Sequence, residues 1–209
     1  MSYSIKVINK SGASQNVAIY QTYPNLEGGL PLVWIKKGIN NGNENTFEWD
    51  ISWALNWGTS EQQLQEGVLW KSGGTPQDVE PNTIGGKNAM DVSWSNEDFQ
   101  NTAAYNDPKL DKGSMLVTTD TSFTVMASQK MSISVYMDNK PVFAMQGEPN
   151  GKYRFDTHPV YWLCVTDHRE GVVISGTFVT SPAEATFAEG VTDLEFELTN
   201  TLEFKKCNI

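Results

Sequence analysis

The sequence predicts an all-β fold, a two-sheet antiparallel β-sandwich of immunoglobulin-like or jelly-roll topology with long irregular loops and little helix. Three observations carry that expectation. Short runs in which apolar and polar residues alternate recur along the whole chain. Clusters of Gly, Pro, Asn, Asp and Ser separate them. Helical spacing is weak throughout, with only a single turn in prospect at residues 60–64, where Ser60 would cap and Gln63 follows three residues later.

The strongest element is residues 47–57. Its odd positions are Phe47, Trp49, Ile51, Trp53, Leu55 and Trp57, and of its even positions only Ala54 is not polar. That is the period of a strand buried on one face. Trp49, Trp53 and Trp57 also fit a helical stripe, but a helix scatters Phe47, Ile51 and Leu55, whereas a strand accounts for all six. Before it, runs at 5–8, 16–23 and 32–35 are punctuated by Ser11-Gly12, Pro24-Asn25 and Gly28-Gly29. After it, 132–137 turns through Asp138-Asn139-Lys140-Pro141 into 142–145. Pro149-Asn150-Gly151 reads as a tight hairpin turn leading to Tyr153-Arg154-Phe155, because Asn-Gly tolerates positive φ. Runs at 160–165 and 172–179 flank a second hairpin turn at 167–171, and the tail alternates at 194–198 and 202–204. Residues 71–87 and 96–112 read as long loops and not as interdomain linkers, so the expectation is one domain over 1–209. Residues 49–54 and 90–95 echo each other, too briefly to establish a repeat.

Composition excludes several classes. The 209 residues are 39% apolar and 11% aromatic, enough to form a core and to exclude a disordered chain. With 15 basic and 25 acidic side chains the formal charge is −10. Nucleic acid is therefore not an expected partner, and attraction to anionic lipid is weak. No run of about 18 apolar residues exists to form a transmembrane helix. The N-terminus lacks the basic start and apolar run of a secretory signal, so the reading is a soluble product, cytoplasmic as synthesised, with signal-independent export left open. Cys164 and Cys207 are read as two free thiols.

Little catalytic chemistry is legible. His158 and His168 make no metal-ligand spacing, and no GxSxG elbow occurs. Gly73-Gly74 and Gly85-Gly86-Lys87 lack the spacing of a phosphate loop, and Asp107, Asp111 and Asp120 lack that of a calcium loop. The expectation is no enzyme, no metal and no cofactor. One motif comes near: Glu48-Trp49-Asp50-Ile51-Ser52 resembles the Glu-x-Asp-x-Glu strand of retaining jelly-roll glucanases, with Ser52 where the general acid belongs. A hydroxyl cannot take that role. Of seven tryptophans, Trp49, Trp53 and Trp162 are expected in the core. Trp57, Trp70 and Trp94 fall at strand ends beside polar loops and are the candidate ligand-binding residues, where an indole can stack on a sugar or sit at a headgroup layer.

Asn9-Lys10-Ser11-Gly12-Ala13-Ser14-Gln15-Asn16 leads into the apolar run Val17-Ala18-Ile19-Tyr20. With Pro159-Val160-Tyr161-Trp162-Leu163, Val179-Thr180-Ser181-Pro182-Ala183 and residues 187–190, this resembles the family of the rhizosphere-expressed protein RhiA and its bacterial and fungal relatives. The resemblance implies a soluble β-sandwich without established enzymatic activity, acting in contact with other organisms, and it carries no site residues.

Four functional readings follow. The first is a non-enzymatic protein binding a surface ligand, carbohydrate or lipid headgroup. The second is a membrane-active, pore-forming or insecticidal-type toxin that oligomerises, with residues 47–57 and 131–145 as inserting hairpins, which leaves a homo-oligomer open as a state. The third is a plain structural or storage role in which the acidic charge serves solubility, and the last is a degenerate glucanase-like protein.

Overall fold

The alternating run at 47–57 does not stay in one sheet. In the computed structural model, which describes residues 2–24, 26–175 and 180–207, it splits at Ile51-Ser52. Its first half ends β5 and its second half begins β6, and the two strands belong to different sheets. The odd positions stay buried on both sides of the bend, with Phe47, Trp49, Trp53, Leu55 and Trp57 all inside. Strands that switch sheets at a bend are how sandwich corners are made. Period-two alternation says which face is buried but not which sheet a strand joins.

In chain order the strands are β1 (Ser2–Asn9), β2 (Gln15–Thr22), β3 (Gly29–Pro31), β4 (Ile35–Ile39), β5 (Glu44–Asp50), β6 (Trp53–Thr59), β7 (Lys71–Ser72), β8 (Gln77–Val79) and β9 (Ala89–Ser95). Then follow β10 (Asp98–Asn101), β11 (Ser114–Thr119), β12 (Met131–Met137), β13 (Lys140–Gln146), β14 (Lys152–Asp156), β15 (Val160–Val165), β16 (Thr180–Glu184), β17 (Asp193–Leu198) and β18 (Phe204–Lys206). A 3-10 turn at Ala127–Lys130 is the only helical element among the described residues. The fold is all-β, as expected, and its strands form four sheets. They run β18-β17-β1-β5, β16-β15-β2-β4, β3-β13-β12-β6-β7 with β8 also on β6, and β10-β9-β11-β14. The first sheet meets the second through Trp49 on Tyr161, ring centroids 5.2 Å apart, and the third meets the fourth through Trp57 on Phe99 at 5.6 Å. Tyr23 links the halves, lying 4.9 Å from Phe143 and 6.4 Å from Phe155. Pairing is antiparallel except at β1–β17 and β9–β11, which are parallel.

Several local expectations change. Asp138-Asn139 closes the β12–β13 hairpin with both residues at positive φ, 49° and 61°, as a two-residue turn requires. Asn150 also has positive φ, yet Pro149-Asn150-Gly151 closes no hairpin, because β13 and β14 leave it for different sheets. Its backbone instead bonds the end of β11: Asn150 N–H donates to Asp120 O at 2.9 Å and Gly151 N–H to Thr119 Oγ1 at 2.7 Å. Residues 167–171 do not join a β15 hairpin either; Val172 and Val173 bridge to Leu69 and Leu32. The rest of that run, 176–179, lies outside the described residues, as does Asn25 of the expected Pro24-Asn25 turn. Residues 60–64 form bends and no helical turn, with Ser60 Oγ donating to Gln62 O. The expected loops contain short strands, β7 and β8 in one and β10 in the other.

The third sheet is covered on both faces. Every residue of β12 is buried. Ile133, Val135 and Met137 join the main apolar cluster, while Tyr136 and Ala54 of β6 lie under a cover made by Leu64, Val68, Trp70, Leu32 and Val173. The alternation there reads as a solvent face, but Asn56, Ser132 and Ser134 are fully buried. They can be so because each is hydrogen-bonded: Ser132 Oγ accepts from Trp70 Nε1 at 2.7 Å, and Ser134 Oγ donates to Phe143 O at 2.9 Å. Asn56 serves the candidate site below.

Gly58 is what lets the cover close. A Cβ on it would stand 2.3 Å from Trp70 and 2.4 Å from the Lys71 carbonyl. Gly58→Ala is therefore expected to lose about 1–3 kcal/mol by overpacking, read from urea unfolding midpoints. A loss below about 0.5 kcal/mol would show that β7 yields freely.

Candidate functional site

The three tryptophans nominated by sequence do not converge. Trp57 is 3% exposed; its Nε1 donates to Asn101 Oδ1 at 3.2 Å, and Gly73 and Gly74 lie so close over the ring that a Cβ on either would overlap it. That backbone covers the ring. Trp94 is 37% exposed, on β9 of the fourth sheet, with its ring edge-on to Phe99 at 4.8 Å. Trp70 is 4% exposed and lines a cleft. Trp162, expected in the core, is half-buried, stacked on Tyr20 with Nε1 donating to Thr22 Oγ1.

That cleft, of about 430 Å³, lies beside the β12–β13 turn. Its floor is formed by Trp70 and Tyr136, each 4% exposed, with Trp34 and Val33 almost wholly covered behind them. Ser72, Asn139, Lys140 and Glu170 supply the polar rim, with Pro76 and Pro141 between them. The floor is fixed from beneath. Trp34 Nε1 donates to Met137 O at 3.2 Å, and Trp70 and Tyr136 meet edge-on at 5.7 Å. The buried Asn56 amide holds the rim: its Nδ2 donates to Ser72 Oγ at 2.7 Å, to Gly74 O at 3.0 Å and to Tyr136 OH at 3.4 Å. Burial raises the Tyr136 pKa, outweighing the hydrogen bonds from Ser72 and Asn56 that favour the phenolate. The phenol is thus neutral near pH 7, able both to donate and to accept.

Lys140 is the one basic residue of this lining, and its Nζ pairs with Glu170 Oε2 at 2.9 Å. Glu170 Oε1 also accepts the Lys36 backbone N–H at 3.0 Å, so the carboxylate is anchored from two sides. A second cleft, about 520 Å³, opens across the turn and is lined by Ser52, Trp53, Asp78, Glu80 and Asn82. Asn139 lines both.

The other sequence candidates lie elsewhere. Glu48 and Asp50 sit on the exposed face of β5 and line neither cleft. His158 is exposed and His168 half-buried, and no group of three or more His, Cys, Asp or Glu among the described residues could hold a metal ion. Cys164 and Cys207 are both free; burial pushes the Cys164 thiol up to about 12. No helix among the described residues is long and apolar enough to cross a membrane.

A model of the RhiA family matches residues 1–206. The chain belongs to the RhiA family. No curated protein and no solved structure matches it. In this RhiA-family protein the N-terminal motif is a structural turn. Asn9 is fully buried, its Nδ2 donating to Ala13 O and Ile39 O and its Oδ1 accepting from Ser11 N–H, so it ties the β1–β2 turn to the end of β4. The motifs that carry the RhiA resemblance line neither cleft. Sequence reasoning found Trp70 there but not Trp34, Tyr136 or Asn139, because only the fold brings those segments together.

Proposed function

We propose that this RhiA-family protein is a non-enzymatic carbohydrate-binding protein whose site is the cleft over Trp34, Trp70 and Tyr136. The observation that supports this reading is the pairing of an apolar, aromatic floor with a rim of hydroxyl, amide, ammonium and carboxylate groups. A sugar presents the complementary surface, C–H faces and hydroxyls that donate and accept. Its role, as the RhiA resemblance implies, lies in contact with other organisms.

The electrostatics favour a neutral sugar over an anionic headgroup. Lys140 is already neutralised by Glu170, and the chain carries −10 overall, so a phosphate entering the cleft meets no uncommitted cation in its lining. The toxin reading has less support. The run 47–57 bends between two sheets, and the β12–β13 hairpin runs through the interior of the third sheet with β12 wholly buried. Membrane insertion would require dismantling that sheet. A glucanase-like activity would need its carboxylates in a cleft, and Glu48 and Asp50 line neither one.

Calorimetric titration of glucose, cellobiose, N-acetylglucosamine and chitobiose, alongside vesicles of neutral and anionic lipid, tests the reading. Heat is expected with a sugar and not with vesicles. Ser72→Ala and Glu170→Gln are expected to weaken the sugar about 3- to 10-fold each, the range for a lost hydrogen bond. Binding to vesicles with silence toward every sugar would overturn the proposal.

A further inference from the structure

We propose that the ligand is a linear glycan of at least two units, which crosses the Asp138-Asn139 turn and seats its second unit in the cleft beside Trp53. This rests on the carbohydrate reading above and says what length of chain the site is built for.

Three observations support it. The two clefts are neighbours, because Asn139 lines both and its exposed side chain stands where they meet. One extended segment runs along both: Pro76 lines the first cleft and Asp78 the second. Two residues of extended chain span about 7 Å, the scale of one sugar unit. Third, the second cleft repeats the chemistry of the first. Trp53, 5% exposed, contributes aromatic surface, and its indole Nε1 is a buried donor without a hydrogen-bond partner. Ser52, Asn82 and Thr83 supply hydroxyl and amide groups on exposed residues.

Charge narrows the class of chain. Asp78 and Glu80 line the second cleft and no basic side chain does. A uronate in that position meets two carboxylates, so the second unit is neutral or carries an amine. The turn itself is suited to the task of a fixed divider. Asn139 has φ 61° in a two-residue hairpin turn, a conformation that costs Asn or Gly little and fixes the backbone between the two clefts.

The test is a length series: glucose, cellobiose, cellotriose and cellotetraose, and the matching chitin oligomers, titrated into wild-type protein and into Ser52→Ala/Asn82→Ala. Both residues are exposed, and the hydrogen bond from Asp138 N–H goes to the Ser52 backbone carbonyl, so the variant is expected to fold as wild type by circular dichroism. Affinity is expected to rise about tenfold or more from one unit to two or three, because the second unit binds at high effective concentration. In the double variant that gain shrinks while monosaccharide affinity stays put. Equal affinity for one and three units, or a gain untouched by the double variant, overturns the second subsite and leaves the sugar reading intact. Silence toward every sugar overturns both.

Discussion

Trp49→Ala is expected to remove about 3–5 kcal/mol of stability, against the roughly 5–15 kcal/mol that holds a typical domain together. Trp49 is 2% exposed and sits where two sheets meet. Its ring lies 5.2 Å from Trp34, 5.2 Å from Tyr161, 5.9 Å from Phe187 and 6.2 Å from Tyr3. Truncation empties the middle of that group, in which Tyr3 is fixed on β1, Tyr161 on β15 and Trp34 by its hydrogen bond to Met137 O, so the space collapses only in part. Trp34 also floors the proposed sugar cleft, which couples the core defect to the site. Trp49→Phe keeps a ring in place and is expected to lose less than half as much. Urea unfolding of both variants measures this, and equal losses for the two would show that volume at this position is not what matters.

Alkali is expected to destabilise the protein through its buried phenols and thiol, the carboxylates being ionised throughout that range. Burial raises the phenol pKa of Tyr23 well above its ordinary value, and does the same for Tyr20, Tyr136, Tyr153 and Tyr161. The Cys164 thiol is pushed to about 12. These groups hold their protons more tightly folded than unfolded. Below the unfolded pKa both states are protonated and stability does not depend on them. Above it the unfolded chain ionises first, so stability falls as pH rises, from about 9 for the thiol and about 10 for the phenols. Each fully buried group removes about 1.4 kcal/mol per pH unit in that window. Tyr23 and Cys164 together thus remove about 3 kcal/mol per unit above pH 10. Denaturant midpoints measured from pH 8 to 11.5, with tyrosinate absorbance recorded in parallel, check it. A flat midpoint across that range, or ionisation of more than two of the seven tyrosines before tertiary structure is lost, would contradict the neutral buried phenols.

Why the fold class was legible and the site was not follows from particular residues. Alternation at 47–57 correctly assigned the buried face of Phe47, Trp49, Trp53, Leu55 and Trp57 but could not show that the half-buried Ile51 and the exposed Ser52 turn the chain into another sheet. Asp138-Asn139 announced its hairpin because a two-residue turn has a chemical requirement that those residues meet. Pro149-Asn150-Gly151 met a similar requirement, yet a turn does not dictate where the strands beyond it pair. Trp57 and Trp70 sit beside polar, glycine-containing loops, which reads as exposure. The glycines are instead what allow the indoles to be covered, through Gly73 and Gly74 over Trp57 and Gly58 beneath Trp70. The cleft is assembled from residues 33–34, 70–76, 136–141 and 170–171. Nothing local to any one of these segments marks it as part of a site, and Asn56 and Ser132, which brace the site, look like surface residues in the sequence.

The parallel pairing of β1 with β17 also sets the order in which the chain can be finished. β1 lies between β5 and β17 in its sheet, and its register with β17 is matched by ion pairs from Lys6 to Glu195 and Lys10 to Glu197. On a ribosome adding about 5–20 residues per second, β17 emerges some 10–40 s after β1. For that interval one side of β1 is an unpaired edge, open to β-pairing with a neighbouring nascent chain. The β1–β5 pairing can form early but the other side of β1 cannot be closed until β17 is made, so folding is expected to be slow for the chain's length and to depend on holding that edge in solution until its last neighbour arrives.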